Sequence, residues 1–448
     1  MSSLPAGFVL RRGQPEDAEA LADFNADVLR PQDAAEPQAG MRAWTRDLMT
    51  GRHPWFQPGD ALIIEDAGGR IASAALLVDQ TLSVEGVLVP TGQPELVGTR
   101  AEYRGRGLVR ALFGELHAES ARRGHLVQFI AGIPWFYRQF GYEMAIARGG
   151  GPWTLRSLLP AVPAVPEYHL RPMIAADAPF AAALDDHARA RYLVSVPRDA
   201  ELWRREMDGR SPDSALRLDY HAVEARDGRP VGVVGLLRHI DGTAAIVGAV
   251  EVVAGVSWRM VWDCIARPLA ELADAHAART GAARPTVISF WWLGQEHPLY
   301  RVMGGLTWRR PGAIYVRVPD VTALVRRLVP VLERRLAGSP LIAHSGELKL
   351  SFYRGGVRLV LDAGAVTTVE AWTPPLDLLG QELGAPTTDP RRADALLPDL
   401  TFLHLVFGSR TLAELEAAFP DAIVRTGAAR ALLEALFPKG PSDIWPVL

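Results

Sequence analysis

A single cysteine, Cys264, stands among 448 residues. No disulfide can close within the chain, which suits a reducing cytoplasm. Basic residues are not in surplus: 48 Lys and Arg face 51 Asp and Glu, a formal net charge of -3, whereas a nucleic-acid binder carries a basic excess. The short basic clusters that do occur, Arg122-Arg123 and Arg334-Arg335, read as solvated helix ends and faces. No stretch approaches the ~20 apolar residues of a membrane span. The start, Met1–Gly7, lacks the basic and apolar regions of a secretion signal. The histidines form no His-Glu-x-x-His motif and no His/Cys cluster, so no metal site is expected.

What is present is a globular composition, 48% hydrophobic and 22% charged, on a chain long enough for about three domains. The first is read over residues 1–150. Its pattern gives strands at Phe8–Arg11, Ala61–Glu65, Ile71–Val78 and Leu82–Val89, a helix at Ala18–Leu29, and a strand ending at Thr99. A helix follows over Leu108–Arg123, with Leu108, Leu112 and Leu116 four apart on one stripe and Gly124 as its C-terminal cap. Leu126–Ile133 is the next strand, and Trp135–Phe140 a helical turn. A Gly- and Pro-rich linker is read over 151–167. The second domain, 168–320, echoes the first. Leu170-Arg171 with Asp177 repeats Leu10-Arg11 with Asp17, and Tyr300-Arg-Val-Met-Gly304 repeats Tyr137-Arg-Gln-Phe-Gly141. Two echoes in the same order point to a duplication. The third domain, 321–448, opens with a helix at Val321–Leu336, broken at Pro330. Three strands (Leu348–Phe352, Val357–Leu361, Thr367–Ala371) and three helical stretches (Leu400–Phe407, Leu412–Phe419, Ala428–Leu436) follow.

The chemistry concentrates in Leu96-Val-Gly-Thr-Arg-Ala-Glu-Tyr-Arg-Gly-Arg-Gly-Leu-Val-Arg110. A strand runs into a turn rich in glycine and arginine, and the turn opens a helix. The free amides of a helix start attract an anion, glycine lets a phosphate approach, and Arg104, Arg106 and Arg110 add positive charge. A pyrophosphate fits this. The segment lacks the Gly-Lys-Ser/Thr of a P-loop and the third glycine of a dinucleotide fingerprint. A second element is Ile133-Pro-Trp-Phe-Tyr-Arg-Gln-Phe-Gly-Tyr142. A tyrosine hydroxyl, pKa about 10, is able to protonate a leaving thiolate. Taken alone, Tyr137 between Phe136 and Phe140 is more often a core aromatic; the neighbouring glycine loop favours the acid. Tyr142 is the alternative donor. Cys264, amid Met260-Val-Trp-Asp-Cys-Ile265, reads as a buried structural thiol rather than a nucleophile.

Arg104-x-x-Gly107 before a helix resembles the coenzyme A loop of the GNAT superfamily of N-acetyltransferases. The whole layout, with Phe136-Tyr-Arg-Gln-Phe-Gly-Tyr142, a degenerate second copy, and Phe402-Leu-His-Leu-Val-Phe-Gly408 and Phe437–Trp445 near the end, resembles the enhanced intracellular survival family of these enzymes. The resemblance implies an α+β fold with mixed sheets: tandem acetyltransferase-like domains, then a sterol-carrier-like domain. It implies acetyl-CoA as co-substrate. Val97, Gly98 and Thr99 would hold the acetyl and pantetheine, Arg104, Gly105, Arg106, Gly107, Leu108, Val109 and Arg110 the phosphates, and Gly132 and Ile133 would add a further contact. Tyr137 is the implied acid, and the terminal carboxylate of Leu448 the implied base. A hexamer is implied as well. The acceptor is expected to be a primary amine on a small molecule or peptide: an aminoglycoside, a polyamine or a lysine. Asp23, Asp27 and Asp47 lie on early helices near the expected acceptor side, where carboxylates are usually only solvated. A coenzyme A sensor or a carrier of apolar ligands is the alternative function.

Overall fold

The computed structural model of the chain describes residues 4–30, 36–148, 151–294, 296–310, 312–374 and 392–444. The first block runs β1 (Phe8–Arg12), α1 (Ala18–Val28), α2 (Ala39–Met49), β2 (Ala61–Asp66), β3 (Ile71–Val84), β4 (Val87–Thr99), α3 (Leu108–Arg122), β5 (Val127–Ile130) and β6 (Glu143–Arg148). The strand expected over Leu82–Val89 is instead the tip of a hairpin. Val84 pairs with Val87 across Glu85-Gly86, and both loop residues have positive φ, 45° and 86°. Such a loop matches the twist of its strands. Apolar residues stand on both sides of Glu85-Gly86, which lets the segment read as one strand and hides the reversal. Helix α2 is the early helix expected to carry Asp47, and the apolar pattern does not mark its bounds. Its buried face includes Thr45 and Asp47, which interrupt the apolar stripe.

The second block runs β7 (Trp153–Leu155), β8 (Tyr168–Pro172), α4 (Ala178–Arg189), β9 (Val194–Ser195), α5 (Ala200–Arg204), β10 (Leu218–Ala225), β11 (Pro230–Leu237), β12 (Ala244–Val252), α6 (Trp258–Thr280), β13 (Val287–Ser289) and β14 (Gly312–Arg317). The two blocks repeat one strand order. The first sheet reads β1-β2-β3-β4-β5-β14-β6 and the second β8-β10-β11-β12-β13-β7. The sequence echo has a matching ion-pair pattern. Arg11 grips Asp17 at 2.7 Å and Glu65 at 2.6 Å, while Arg171 grips Asp177 at 2.9 Å and Glu224 at 2.7 Å. Each aspartate also accepts the amide three residues before it.

The blocks exchange strands at corresponding places. β7, inside the stretch read as linker, joins the second sheet beside β13. β14, from the end of the second block, enters the first sheet between β5 and β6. Edge pairing of this kind binds the two units through backbone hydrogen bonds, as well as through side chains.

The third block runs α7 (Val321–Arg327), α8 (Val329–Ala337), β15 (Gly346–Ser351), β16 (Gly356–Asp362), β17 (Ala365–Ala371), β18 (Ala395–Leu396), α9 (Asp399–Val406), α10 (Leu412–Ala418), β19 (Ile423–Val424), α11 (Gly427–Leu436) and β20 (Ser442–Asp443). The expected helix break at Pro330 is present, with Pro330 in the first turn of α8, where it costs no hydrogen bond. Five strands form a sheet ordered β17-β16-β15-β18-β19. The chain is thus α+β throughout, with mixed sheets. One continuous apolar core links this block to α4, α5 and the far edge of the first sheet through Leu82, Val84, Ile146, Ile314 and Val316. β20 returns to pair with β9, which pairs with β3. Among the described residues no helix is long and apolar enough to cross a membrane.

Candidate active site

The site begins where two parallel strands part. β4 and β5 pair only at Thr91 and Gly92, opposite Val127 and Gln128. Further along β4, Leu96 has φ 49°. Ala74 faces Gly98 and Leu76 faces Glu95, so Leu96 and Val97 together oppose Ala75 alone. An extra residue of this kind bends its strand, and β4 turns away from β5. The gap is a cleft of about 700 Å³, within the range of small-molecule sites.

One wall is the bent strand, Val97, Gly98 and Thr99. One end is the start of α3, with Arg104, Gly105, Gly107, Leu108, Val109 and Arg110. Gly107 caps the helix with φ 80°. The first bond back to it is from the Ala111 amide, at 3.1 Å, so the amides of Leu108, Val109 and Arg110 have no acceptor within the helix. Gly105 and Gly107 need their left-handed backbone, and no atom lies within 4 Å of where a Cβ would stand at either. Arg110 stacks over Phe140 at 5.5 Å and donates to Gln139 at 3.2 Å. Arg106 is not in the cleft lining. Its guanidinium lies over Tyr103 at 5.5 Å and Phe8 at 6.0 Å, and donates to the Glu102 carbonyl.

Ile133 and Tyr137 close the opposite end. Tyr137 is 6% exposed. Phe113, Tyr315 and Phe136 hold its ring, with centroids 5.6, 5.5 and 5.1 Å away. Gly132 stands behind it: a Cβ there would lie 1.9 Å from Tyr137 Cε2. Gly132 therefore supports the tyrosine without lining the cleft. The Tyr137 hydroxyl makes no hydrogen bond among the described residues. Burial, then the nearby Glu95 charge and Tyr315, hold its pKa well above that of a free phenol, so it keeps its proton at neutral pH. Tyr142 is fully buried, its hydroxyl 3.1 Å from His117 Nε2, and it takes no part in the lining.

Glu95, whose charge reaches Tyr137, and Arg148, whose charge reaches Glu95, go beyond the sequence reading; neither lines the cleft. Glu95 accepts from Gln93 Nε2 at 2.9 Å and from the Leu96 amide at 3.3 Å. Burial pushes its carboxyl up to about 7, against the weaker pull of those two bonds and of Arg148. Arg148, the last residue of β6, is half-buried, and desolvation lowers its pKa against the opposing charge of Glu95. A lone Glu in an apolar strand is the only signal the sequence offers. The bulge that aims it is invisible in residue spacing.

The second block has similarly parting strands, since β12 and β13 pair only over Ala244–Ile246. Its gap is closed. His297 Nε2 lies 2.9 Å from the Val250 carbonyl, and the ring packs edge-on to Trp258 at 5.2 Å. Burial lowers His297 to about 3, so the imidazole is neutral. Cys264 is buried in α6 of this block, away from the cleft. The early-helix carboxylates are all engaged. Asp23 pairs with Arg42, Asp27 with Arg100, and Asp47 accepts from Ser211. Leu448 lies outside the described residues. Among those described, no group of three or more His, Cys, Asp or Glu is placed to hold a metal.

Residues 10–145 match the acetyltransferase (GNAT) domain family. No curated protein matches the chain. Solved structures share its fold from end to end. A probable N-acyltransferase from Enterococcus faecalis is 13% identical with TM-score 0.62, covering 97% of this chain and 99% of its own. A GCN5-related N-acetyltransferase from Anabaena variabilis is 14% identical with TM-score 0.62, covering 98% and 99%. Eis1 from Mycobacterium abscessus is 17% identical with TM-score 0.56, also covering 98% and 99%. The match over residues 10–145 marks the first block, with its parted strands, as a GNAT-type acetyltransferase domain. More particularly, the chain carries a GNAT acetyltransferase domain in its first third, and the protein is an acetyltransferase.

Proposed function

We propose that the protein transfers acetyl from acetyl-CoA directly to a primary amine. One observation carries this: a single cleft joins the free amides at the start of α3, the bent edge of β4 and the unbonded Tyr137 hydroxyl. The amides of residues 108–110 and the open space at Gly105 and Gly107 suit a pyrophosphate. Arg104 and Arg110 add charge beside it. Acetyl-CoA supplies the acetyl thioester. The backbone of Val97–Thr99 positions it and polarises the carbonyl. Glu95 takes the proton the amine must shed, and Tyr137 gives its own to the departing sulfur. A C–N bond forms as the C–S bond breaks, leaving an N-acetylated product and a free thiol. Cys264 has no role in this scheme.

The terminal carboxylate of Leu448 is the second candidate base. It draws support from β20, which brings the chain back against the first sheet, with Ser442 Oγ hydrogen-bonded to the Ala147 carbonyl. The full-length likeness to Eis1 supports placing the chain among the enhanced intracellular survival acetyltransferases. With that placement we propose a sterol-carrier-like third block, a homo-oligomer of hexameric type and a cytoplasmic location.

Thiol release from acetyl-CoA across a panel of amines tests the reaction. Release that depends on the amine is expected; release indifferent to any amine would refute it. Two variants probe the cleft. Gly107→Ala is strained at φ 80° and re-aims the helix-start amides. It should weaken acetyl-CoA binding about tenfold by calorimetry, a cost of about 1–2 kcal/mol. Gly132→Ala collides with the Tyr137 ring and should lower kcat much as loss of that tyrosine does, with the fold intact by circular dichroism.

A further inference from the structure

The terminal strand β20 sits in a seam between the first sheet and the second block. Its two residues pair with β9, Ser442 opposite Val194 and Asp443 opposite Ser195. The Leu193 amide donates to the Pro441 carbonyl at 2.7 Å, and Ser442 Oγ donates to the Ala147 carbonyl of β6. A strand this short is among the first elements of a fold to open. Asp443 lines a cavity of about 50 Å³ in the second block, room for one or two waters. Helix α4 gives this cavity Asp185 and Arg189, β12 gives Glu251, and Tyr192, Arg198 and His297 complete its polar wall. β9 and β6, which also lie against β20, add no charged group to the lining.

The charges around this cavity are matched before Asp443 is counted. Arg198 Nε donates to Asp185 at 2.9 Å. Arg191, just outside the lining, is bound to Glu251. Arg189 is bound to Asp186 and lies 3.7 Å from Asp185. Asp443 is the carboxylate left over, and among the described residues it makes no hydrogen bond and no ion pair. An unmatched charge in such a place is costly. Asp185 lines the same cavity with a buried Oδ2 that lacks a hydrogen bond, an acceptor open to a proton-bearing group. Burial pushes the Asp443 carboxyl up to about 6; Arg198 and Arg191 pull against this, while Asp185 and Glu251 add to it. His297 is held neutral by burial, and burial raises the phenols of Tyr192 and Tyr300, so none of the three changes charge between about pH 4 and 8. We propose that β20 is a proton-linked latch: Asp443 keeps the terminal strand seated in the second block while it carries a proton, and loosens it on ionising. In the seated strand the carboxyl holds its proton up to about 6, in the released strand only to the ordinary 3.8. The seated form binds more protons between those values, so seating weakens as pH rises through that window and stays weakened above it. The latch rests on the fold and not on acetyl transfer. It gives the block without an open cleft a task, which is to hold the end of the chain against the first sheet.

The test is hydrogen exchange of the full chain, followed at the Leu193 amide, whose acceptor is the Pro441 carbonyl. Amides between β10 and β11, away from β20, serve as the control. Corrected for intrinsic exchange, protection of Leu193 in the wild type should fall by about ten- to a hundredfold between about pH 4 and 8, while the control amides hold theirs. Asp443→Asn cannot titrate and should abolish that fall, leaving Leu193 about tenfold or more better protected than in the wild type at about pH 8. Asp443→Ser, smaller and equally uncharged, carries the test if Asp443→Asn does not fold. Burial also raises Glu251, and the variant separates the two groups, since a fall caused by Glu251 persists without the Asp443 carboxyl. Protection that stays flat with pH in the wild type, a fall that persists in the variants, or variants less protected than the wild type at pH 8 each overturn the latch.

Discussion

Tyr137→Phe is expected to lower kcat by about a hundredfold or more, the usual share of a positioned acid, while acetyl-CoA binds as before. The substitution removes one oxygen from a ring that Phe113, Phe136 and Tyr315 already hold. The hydroxyl has no hydrogen-bond partner among the described residues, so its loss leaves no internal donor or acceptor stranded. The fold should therefore survive with little change in Tm, and the effect falls on turnover. Because burial and the Glu95 charge raise its pKa, Tyr137 stays protonated through the whole working range. The wild type should show no alkaline decline from this group below about pH 10, the free phenol value. Single-turnover thiol release, with cofactor affinity measured by titration, checks both points. A kcat within about threefold of wild type, well short of an acid's usual share, would remove Tyr137 from the proton path.

The elements that sequence patterning identified are those with a local cause. Helix α3 shows a Leu stripe four apart and a cap at Gly124, and it spans Leu108–Arg122. The Pro330 break and the glycine loop follow from single residues with fixed backbone demands. The echo between the first two blocks was legible because Arg11 and Asp17, six apart, make one compact ion-pair unit that recurs at Arg171 and Asp177. What escaped depends on distant chain. The exchange of β7 and β14 is settled by which sheet edge each strand meets, and neither strand's composition names its partner. The bulge at Leu96 lies in Gln93-Pro-Glu-Leu-Val-Gly98, which has no apolar alternation to register it, so neither the opening of the cleft nor the direction of Glu95 could be read. Glu95 and Arg148 stand on strands joined only through three successive pairings.

Glu95→Gln should reduce kcat/KM by about a hundredfold at pH 8 and abolish an acid limb that the wild type shows. With its carboxyl pushed up to about 7, the wild type gains activity as pH rises through 7 and then levels. The amide of the variant cannot titrate, and that limb disappears. Stability moves the other way. The folded protein keeps the Glu95 proton at pH values where the unfolded chain, with its ordinary 4.5, has already lost it. Between about 4.5 and 7 the folded state binds more protons, so the group costs stability progressively as pH rises through that window, and in full above it. Glu95→Gln should thus be the more stable protein at pH 8, by on the order of 1–3 kcal/mol, with the advantage gone below about pH 4.5. A carboxylate kept at such a cost belongs to function rather than to the fold. Appending a few residues after Leu448 separates the two candidate bases. If Glu95 takes the proton, the extended chain keeps the limb near pH 7 even where its KM changes. If the extension abolishes turnover while Glu95→Gln retains both activity and limb, the base is the terminal carboxylate.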